Sequence, residues 1–411
     1  MFEYSDTLKL LLTMLSCYFI FVNMKFIPRK LAPELKSAAR AFPALILTGP
    51  RRAGKTTLLQ KVFPKADYLL LEDPDLIDRF RADPRSFIGE LKPPAILDEI
   101  QHVPEVLSYL RTVIDRAPER KGQWFLSGSQ EAPLMQGVTE SMTGRAAVFQ
   151  LLPLAHEESN TVSLLHGGFP EVLEHPSARK TWFRSYIQTY LERDVRSVSS
   201  IRDLATFRRF MALLASRCGQ ILNKTDLAAP LGVSVPTVSS WLSILEITSQ
   251  ILLIPPFYEN FGKRMIKSPK LYFVDSGLAC YLLGIESDQA LNRSPFLGPV
   301  FEGFIASEIV KHQINTGGGK ALYYFRDRQG LEVDFLLDLG DRRLALIEAK
   351  ATRSPTPRHA EPLIRLENAI KRYDTRRFVV CRSSSGQRDL STLRPGVKAL
   401  SLNRLSDLWQ T

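Results

Sequence analysis

Chemistry is most legible at Gly49-Pro-Arg-Arg-Ala-Gly54-Lys55-Thr56-Thr57. Glycines at this spacing let backbone N–H groups curl around an anion, and a helix beginning at the lysine adds its partial positive charge. Lys55 is placed to reach the β- and γ-phosphates of ATP and Thr56 to offer its hydroxyl to Mg²⁺, with Gly49, Gly54 and Thr57 completing the cradle. A chance Gly-rich turn would need the spacing and both flanks to coincide. The apolar run Ala95-Ile-Leu ends in Asp98-Glu99. Asp98 suits the Mg²⁺ shell; Glu99, one residue on and so directed the other way, suits polarising the attacking water. The alternative role for the pair is to cap a helix starting near Pro104.

A second group of chemically apt residues is Asp334, Glu348 and Lys350. Leu331-Glu-Val-Asp334-Phe-Leu-Leu337 alternates as a strand does, Asp338-Leu-Gly340-Asp341 is turn chemistry, and Arg343 to Lys350 is the return strand. Centring the hairpin near Gly340-Asp341 brings Asp334 opposite residue 347 or 348, and Glu348 and Lys350, two apart, share a face of the pleat. Two carboxylates and an ammonium can bind Mg²⁺ through Asp334 and Glu348, activate water and steady a pentavalent phosphate. Glu302 or Glu308, on the helix expected over residues 300–308, can add a third carboxylate. Ordinary cross-strand charge pairing explains the same pattern without any reaction.

These groups need elements to hold them. Ala44-Leu-Ile-Leu-Thr48 reads as a buried parallel strand feeding the glycine loop, and LLQKVF as the helix behind it. Further strands are expected at Tyr68–Glu72, at Ala95–Glu99 and at Gln123–Leu126. The last runs into Ser127-Gly-Ser129-Gln130, where Ser129 or Gln130 can sense the γ-phosphate. Arg145, ahead of the apolar stretch Ala146–Leu154, can act on the γ-phosphate of its own or a neighbouring subunit, or simply be solvated.

From Gly167 the pattern turns helical, with Trp182, Tyr186 and Tyr190 at helical spacing. Arg184, Arg193, Arg196, Arg202, Arg208, Arg209 and Arg217 outnumber Glu192, Asp194 and Asp203 in this stretch. Such a run is a solvated face or a phosphate-binding one. Asn223 to Leu245 reads as helix, Gly-containing turn, helix, with Ser234 as N-cap and Pro236 in the first turn. In a helix-turn-helix, Thr237, Ser239 and Ser240 would face bases. The strand-like runs Ile251–Ile254 and Lys270–Val274 fit the wing of a winged helix, a module that also binds proteins.

The whole chain of 411 residues has 54 Lys+Arg against 43 Asp+Glu, a net charge of +11. That excess favours an anionic partner such as DNA and excludes no protein partner or homo-oligomer. Composition is that of a globular chain, with 45% hydrophobic residues, and its length implies two or three domains. The four cysteines, Cys17, Cys218, Cys280 and Cys381, form no CxxC pair, so neither a zinc site nor a disulfide framework is expected and a reducing, cytoplasmic setting fits. The apolar run Leu10–Val22 is shorter than the roughly 20 residues of a spanning helix and lacks a signal-peptide leader, so a membrane role is disfavoured. Met24 reads as the alternative start, with residues 1–23 an extension. A short membrane-surface anchor, making the protein a peripheral membrane ATPase, is the other reading.

Taken together, GPRRAGKTT, ILDEIQ, FLSGSQ, GGFPEVL, YIQTYLERDVR, LYFVDSGLACYLLG, FEGFIASE and EVDFLL with IEAK resemble the prokaryotic AAA-type ATPases whose C-terminal half is a region of unknown function similar to PD-(D/E)XK nucleases. The resemblance runs from about Phe26 to Ser384. It implies a multidomain α/β chain: an extension over residues 1–23, an ASCE/AAA-type P-loop domain over 24–160, a helical and winged-helix segment over 161–275, and a restriction-endonuclease-like α/β domain over 276–411. It assigns Lys55, Thr56, Asp98 and Glu99 to the nucleotide site and Glu302, Asp334, Glu348 and Lys350 to the nuclease-like site. The expected activity is Mg-ATP hydrolysis, with nucleotide state gating a DNA nuclease or switching a binding surface.

Overall fold

A computed structural model describes residues 26–128, 141–191, 204–257, 268–382 and 392–409 of the chain. Strands β1 (Ala44–Thr48), β2 (Asp67–Leu70), β3 (Ala95–Asp98), β4 (Trp124–Ser127) and β5 (Ala146–Gln150) form one sheet in the order β2-β3-β4-β1-β5, and every pairing is parallel. Strand β1 is buried along its whole length, which is why it reads as an unbroken apolar run. Its side chains alternate between two cores. Ala44 and Ile46 join Leu97, Leu107 and Leu126 on one face; Leu45 and Leu47 join Leu58, Ile96 and Phe125 on the other. Helices α1 (Ala32–Ala41) and α2 (Lys55–Val62) cover the second face, and α3 (Val106–Arg116) the first. Strand β4 lies between the strand that feeds the glycine loop and the strand that ends in Asp98. All parallel strands end on one side, and ligands of open α/β sheets bind there.

Three helices follow: α4 (Leu204–Ser216), α5 (Lys224–Ala228) and α6 (Val235–Ile247), then an antiparallel pair, β6 (Ile251–Ile254) and β7 (Lys270–Phe273). Gly232, at φ 66°, takes the left-handed turn between α5 and α6. The segment Lys224–Leu231 meets α6 at 110°. Ser234 caps α6 by accepting from the Thr237 amide, and Pro236 occupies the first turn, where no amide donor is needed. Trp241 packs edge-on against Phe207 and tilted against Phe210 of α4, so the angle is fixed by a shared aromatic core. Upstream, the expected aromatic helix is Arg179–Tyr186, continued by a wider π turn over Ile187–Leu191. Arg193, Arg196 and Arg202 lie outside the described residues.

Six strands make the C-terminal sheet: β8 (Leu322–Arg326), β9 (Glu332–Asp338), β10 (Arg343–Lys350), β11 (Asp374–Cys381), β12 (Thr392–Arg394) and β13 (Val397–Ser401). Their order is β12-β13-β11-β10-β9-β8, with β10, β11 and β13 mutually parallel and the rest antiparallel. Helix α7 (Leu297–Asn315) packs on one face with Phe335, Leu337, Ala345 and Ile347; α8 (Glu361–Ala369) packs on the other with Val333, Leu336, Leu344 and Leu346. The α7 core also takes in Leu152 and Leu154 after β5, and Leu252, Ile254 and Tyr272 of the β6–β7 pair. Packing therefore runs uninterrupted across residues 160/161 and 275/276, where the sequence suggests boundaries. Among the described residues no single helix is long and apolar enough to cross a membrane.

Candidate functional site

The glycine loop leaves β1 through Gly49 at φ 136° and enters α2 through Gly54 at φ 93°. A Cβ on Gly49 would lie 2.1 Å from the Leu151 carbonyl oxygen, so this position needs glycine for space as well as for conformation. Lys55 is buried at the start of α2, and its Nζ donates to the carbonyls of Gly49 and Pro50, each at 3.0 Å, folding the ammonium into the loop. Thr57 is exposed one residue further along the helix.

Arg29 holds the loop from behind. It donates to the Ala53 carbonyl at 2.9 Å and the Leu152 carbonyl at 2.7 Å, and pairs with Glu158 at 3.0 Å. No motif points to it from sequence. Arg29→Met leaves the buried Glu158 charge without its guanidinium partner, so a loss of about 3 kcal/mol is expected. Chemical denaturation checks this, and an unchanged midpoint would refute it.

Asp98 is the most densely coordinated carboxylate of the site. Its Oδ2 accepts from Thr56 Oγ1 at 2.6 Å and from the Tyr68 hydroxyl at 2.9 Å, and its Oδ1 accepts from Ser127 Oγ and, at 3.1 Å, from the Glu99 amide. Burial, then the Asp98 charge, raises the Tyr68 phenol above its ordinary value, so it stays a donor. A hydroxyl and a carboxylate oxygen in contact at the loop are the hard donors that Mg²⁺ takes, so Thr56 and Asp98 fit that ion. Sequence reasoning missed Tyr68 and Ser127. Ser127 is the last residue of β4, two before the expected sensor Ser129, which lies outside the described residues with Gln130.

Two expectations need correction. Strand β3 stops at Asp98, and Glu99 turns left-handed at φ 56°, ψ 43°, so strand alternation does not set its direction. Its carboxylate instead accepts from Gln101 Nε2 and lies 3.9 Å from the Arg51 guanidinium. A non-glycine residue in this region is strained, as functional positions often are. Arg145 is not at the nucleotide end of its own chain, so only action on a neighbouring subunit remains of that expectation. Ala44 pairs with Ala146, so Arg145 sits beside the start of β1 while the loop leaves its far end. There it forms a two-pronged pair with Asp115 of α3, Nη2 to Oδ2 at 2.9 Å.

Arg52, also left-handed at φ 63°, reaches out of the loop to Glu171 Oε1 at 2.8 Å. The other oxygen of Glu171 accepts from the Trp182 indole at 2.6 Å, so one carboxylate ties the loop to the helical segment.

The second cluster assembles where the hairpin register predicts. Ile347 faces Phe335, and Leu346 faces Leu336, so continuing the register sets Glu348 against Asp334. Lys350 Nζ pairs with Glu348 Oε1 at 2.6 Å and lies 4.0 Å from Asp334 Oδ2, which also accepts from the Ala349 amide at 2.9 Å. Of the two glutamates on α7, Glu302 belongs here: it accepts from the Tyr272 hydroxyl and, at 3.1 Å, from Lys270 Nζ. Glu308 turns away to pair with Lys311 at 3.0 Å and to accept from the His156 amide at 2.6 Å. Burial, with the Asp334 charge beside them, pushes the Glu302 and Glu348 carboxyls above the ordinary range, and raises of this kind mark desolvated clusters.

The carboxylates do not stand as a ready ligand set. Among the described residues no group of three or more His, Cys, Asp or Glu side chains is arranged to hold a metal ion. The ammonium groups of Lys270 and Lys350 lie between Glu302, Asp334 and Glu348, where the sequence places Mg²⁺. One observation still fits a cation: Glu348 Oε2 is buried with no hydrogen-bond partner. Sequence reasoning missed Lys270, Tyr272 and Glu332, which reach the cluster from another strand pair or from the hairpin's first residue.

Residues 41–160 match an AAA domain, residues 158–289 a domain of unknown function (DUF8612), and residues 297–404 another (DUF4143). An uncharacterized protein of Mycobacterium tuberculosis is 32% identical over 335 residues, covering 80% of this chain and 75% of its own length. An uncharacterized protein of Mycobacterium bovis matches with the same values. Among solved structures, a Walker-type ATPase of Pyrococcus abyssi is similar over 62% of this chain and 96% of its own, at 16% identity and a TM-score of 0.43.

Proposed function

The chain belongs to the family of its two mycobacterial relatives and carries an AAA-type P-loop domain, and from that premise we propose that it hydrolyses Mg-ATP and uses the nucleotide state to control a DNA-cleaving C-terminal site. The observation that carries ATP hydrolysis is the contact of Thr56 with Asp98 beside the buried Lys55. When bound there, Mg²⁺ neutralises charge on the γ-phosphate oxygens. Lys55 would hold the β- and γ-phosphates, Thr56 and Asp98 the ion, and Glu99 would orient water from its left-handed turn. Tyr68 and Ser127 keep the Asp98 oxygens in place. DNA cleavage rests on Asp334, Glu348 and Lys350 meeting on one face of the hairpin, with Glu302 behind them. Arg52, Glu171 and Trp182 supply a physical link from the loop towards the helices.

A second reading keeps the ATPase and makes the rest a switch that binds a protein. What favours it is α6: its sequence carries no lysine or arginine, and Val235 at its start is 38% exposed. A helix inserted into a major groove ordinarily brings cations with it. ATP hydrolysis and DNA cleavage measured together in Mg²⁺, for wild type, Lys55→Ala and Asp334→Asn, separate the two. Cleavage lost in Asp334→Asn with hydrolysis intact, and changed in Lys55→Ala, supports the first reading; hydrolysis by the wild type with no cleavage in any form supports the second.

A further inference from the structure

We propose that Lys270 holds the place of a divalent cation in the C-terminal cluster, so that a metal ion can enter only by displacing its ammonium. This rests on the reading of that cluster as a metal-using site. Lys270 does not come from the hairpin that carries Asp334 and Glu348 but from β7, in the strand pair after α6. Its side chain is 2% exposed, and its Nζ lies 2.6 Å from Glu332 Oε1, 3.1 Å from Glu302 Oε1 and 3.8 Å from Asp334 Oδ1. One positive centre among three carboxylate oxygens from a helix and a strand is the environment a hard cation requires. Burial alone would lower the lysine pKa, but Glu302, Asp334 and Glu332 outweigh it, so Lys270 stays charged.

The cluster still has unused capacity for positive charge. Glu302, Glu332, Asp334 and Glu348 face Lys270, Lys350 and the half-exposed Arg326, and the second oxygen of Glu348 remains buried with no partner. Lysine satisfies the carboxylates as a single charge with fixed reach; a divalent ion would satisfy them with twice the charge. The two occupants exclude each other, because both need the same oxygens. Since Lys270 comes from β7, which pairs with β6 and shares a core with α7, the cation in the C-terminal site is supplied by a strand outside the site's own hairpin.

The test is Mn²⁺ binding to nucleotide-free, full-length protein, read from the electron paramagnetic resonance of free Mn²⁺. Lys270→Met removes the competing charge and is expected to bind one additional Mn²⁺ at least about tenfold tighter than wild type, given the strength of charge repulsion at such distances. Adding Glu302→Gln to it should abolish the gain. Lys270→Gln, which keeps a donor to Glu302, gives the same comparison if the methionine variant does not fold. Equal Mn²⁺ affinity in wild type and the neutral variants overturns the proposal, as does a gain that survives Glu302→Gln. DNA cleavage assayed on the same samples judges the nuclease reading separately: tighter Mn²⁺ without cleavage in any variant leaves the displaced lysine standing and removes the nuclease.

Discussion

Lys55→Ala lowers ATP hydrolysis by about 10²–10³-fold, the effect expected when a preorganised charge aimed at the transferring phosphoryl group is removed. Lys55 is 5% exposed, and its Nζ donates to the carbonyls of Gly49 and Pro50 at 3.0 Å, so two hydrogen bonds fix the ammonium within the loop. Alanine keeps the α2 backbone and deletes the side-chain arm with its charge and its two hydrogen bonds to the loop. Steady-state phosphate release, with nucleotide affinity measured in parallel, distinguishes lost binding from lost chemistry. Hydrolysis at the wild-type rate would remove Lys55 from the site.

Asp334→Asn is the corresponding test of the C-terminal cluster. The amide keeps the volume and an acceptor for the Ala349 amide, so the hairpin should fold, but the charge facing Lys350 and Lys270 is gone. If the cluster cleaves DNA with a carboxylate-held metal, cleavage should fall by about 10²-fold or more, the scale of a lost catalytic group, with ATP hydrolysis unchanged. Nicking of supercoiled DNA gives the readout. Cleavage by the variant at the wild-type rate would exclude Asp334 from any such reaction.

What the sequence discloses depends on how local the determinants are. The glycine loop was legible because strand, loop and helix are contiguous, and each glycine has a conformational reason to be there. Asp334 opposite Glu348 was legible because one turn, around Gly340, fixes the register of both strands. Choosing between Glu302 and Glu308 was not, since α7 is buried nearly all round and offers no polar face to orient it. Lys270, Tyr68 and Ser127 reach their carboxylates through tertiary packing, which no spacing rule records. Glu99 was misdirected because alternation was extended one residue beyond the end of β3. Arg145 was misplaced for a topological reason: the start of a parallel strand and the end of its neighbour lie at opposite edges of the sheet.

The carboxylate of Glu171 has an optical consequence. It accepts from Arg52 with one oxygen and from the Trp182 indole with the other, and Trp182 stacks on Tyr186 with ring centroids 5.0 Å apart. The emission of an indole depends on the charge bonded to its N–H and on the ring beside it. Trp182 is therefore an intrinsic fluorophore connected by two bonds to the glycine loop, and whatever reorients Arg52 is written into its spectrum without any attached dye.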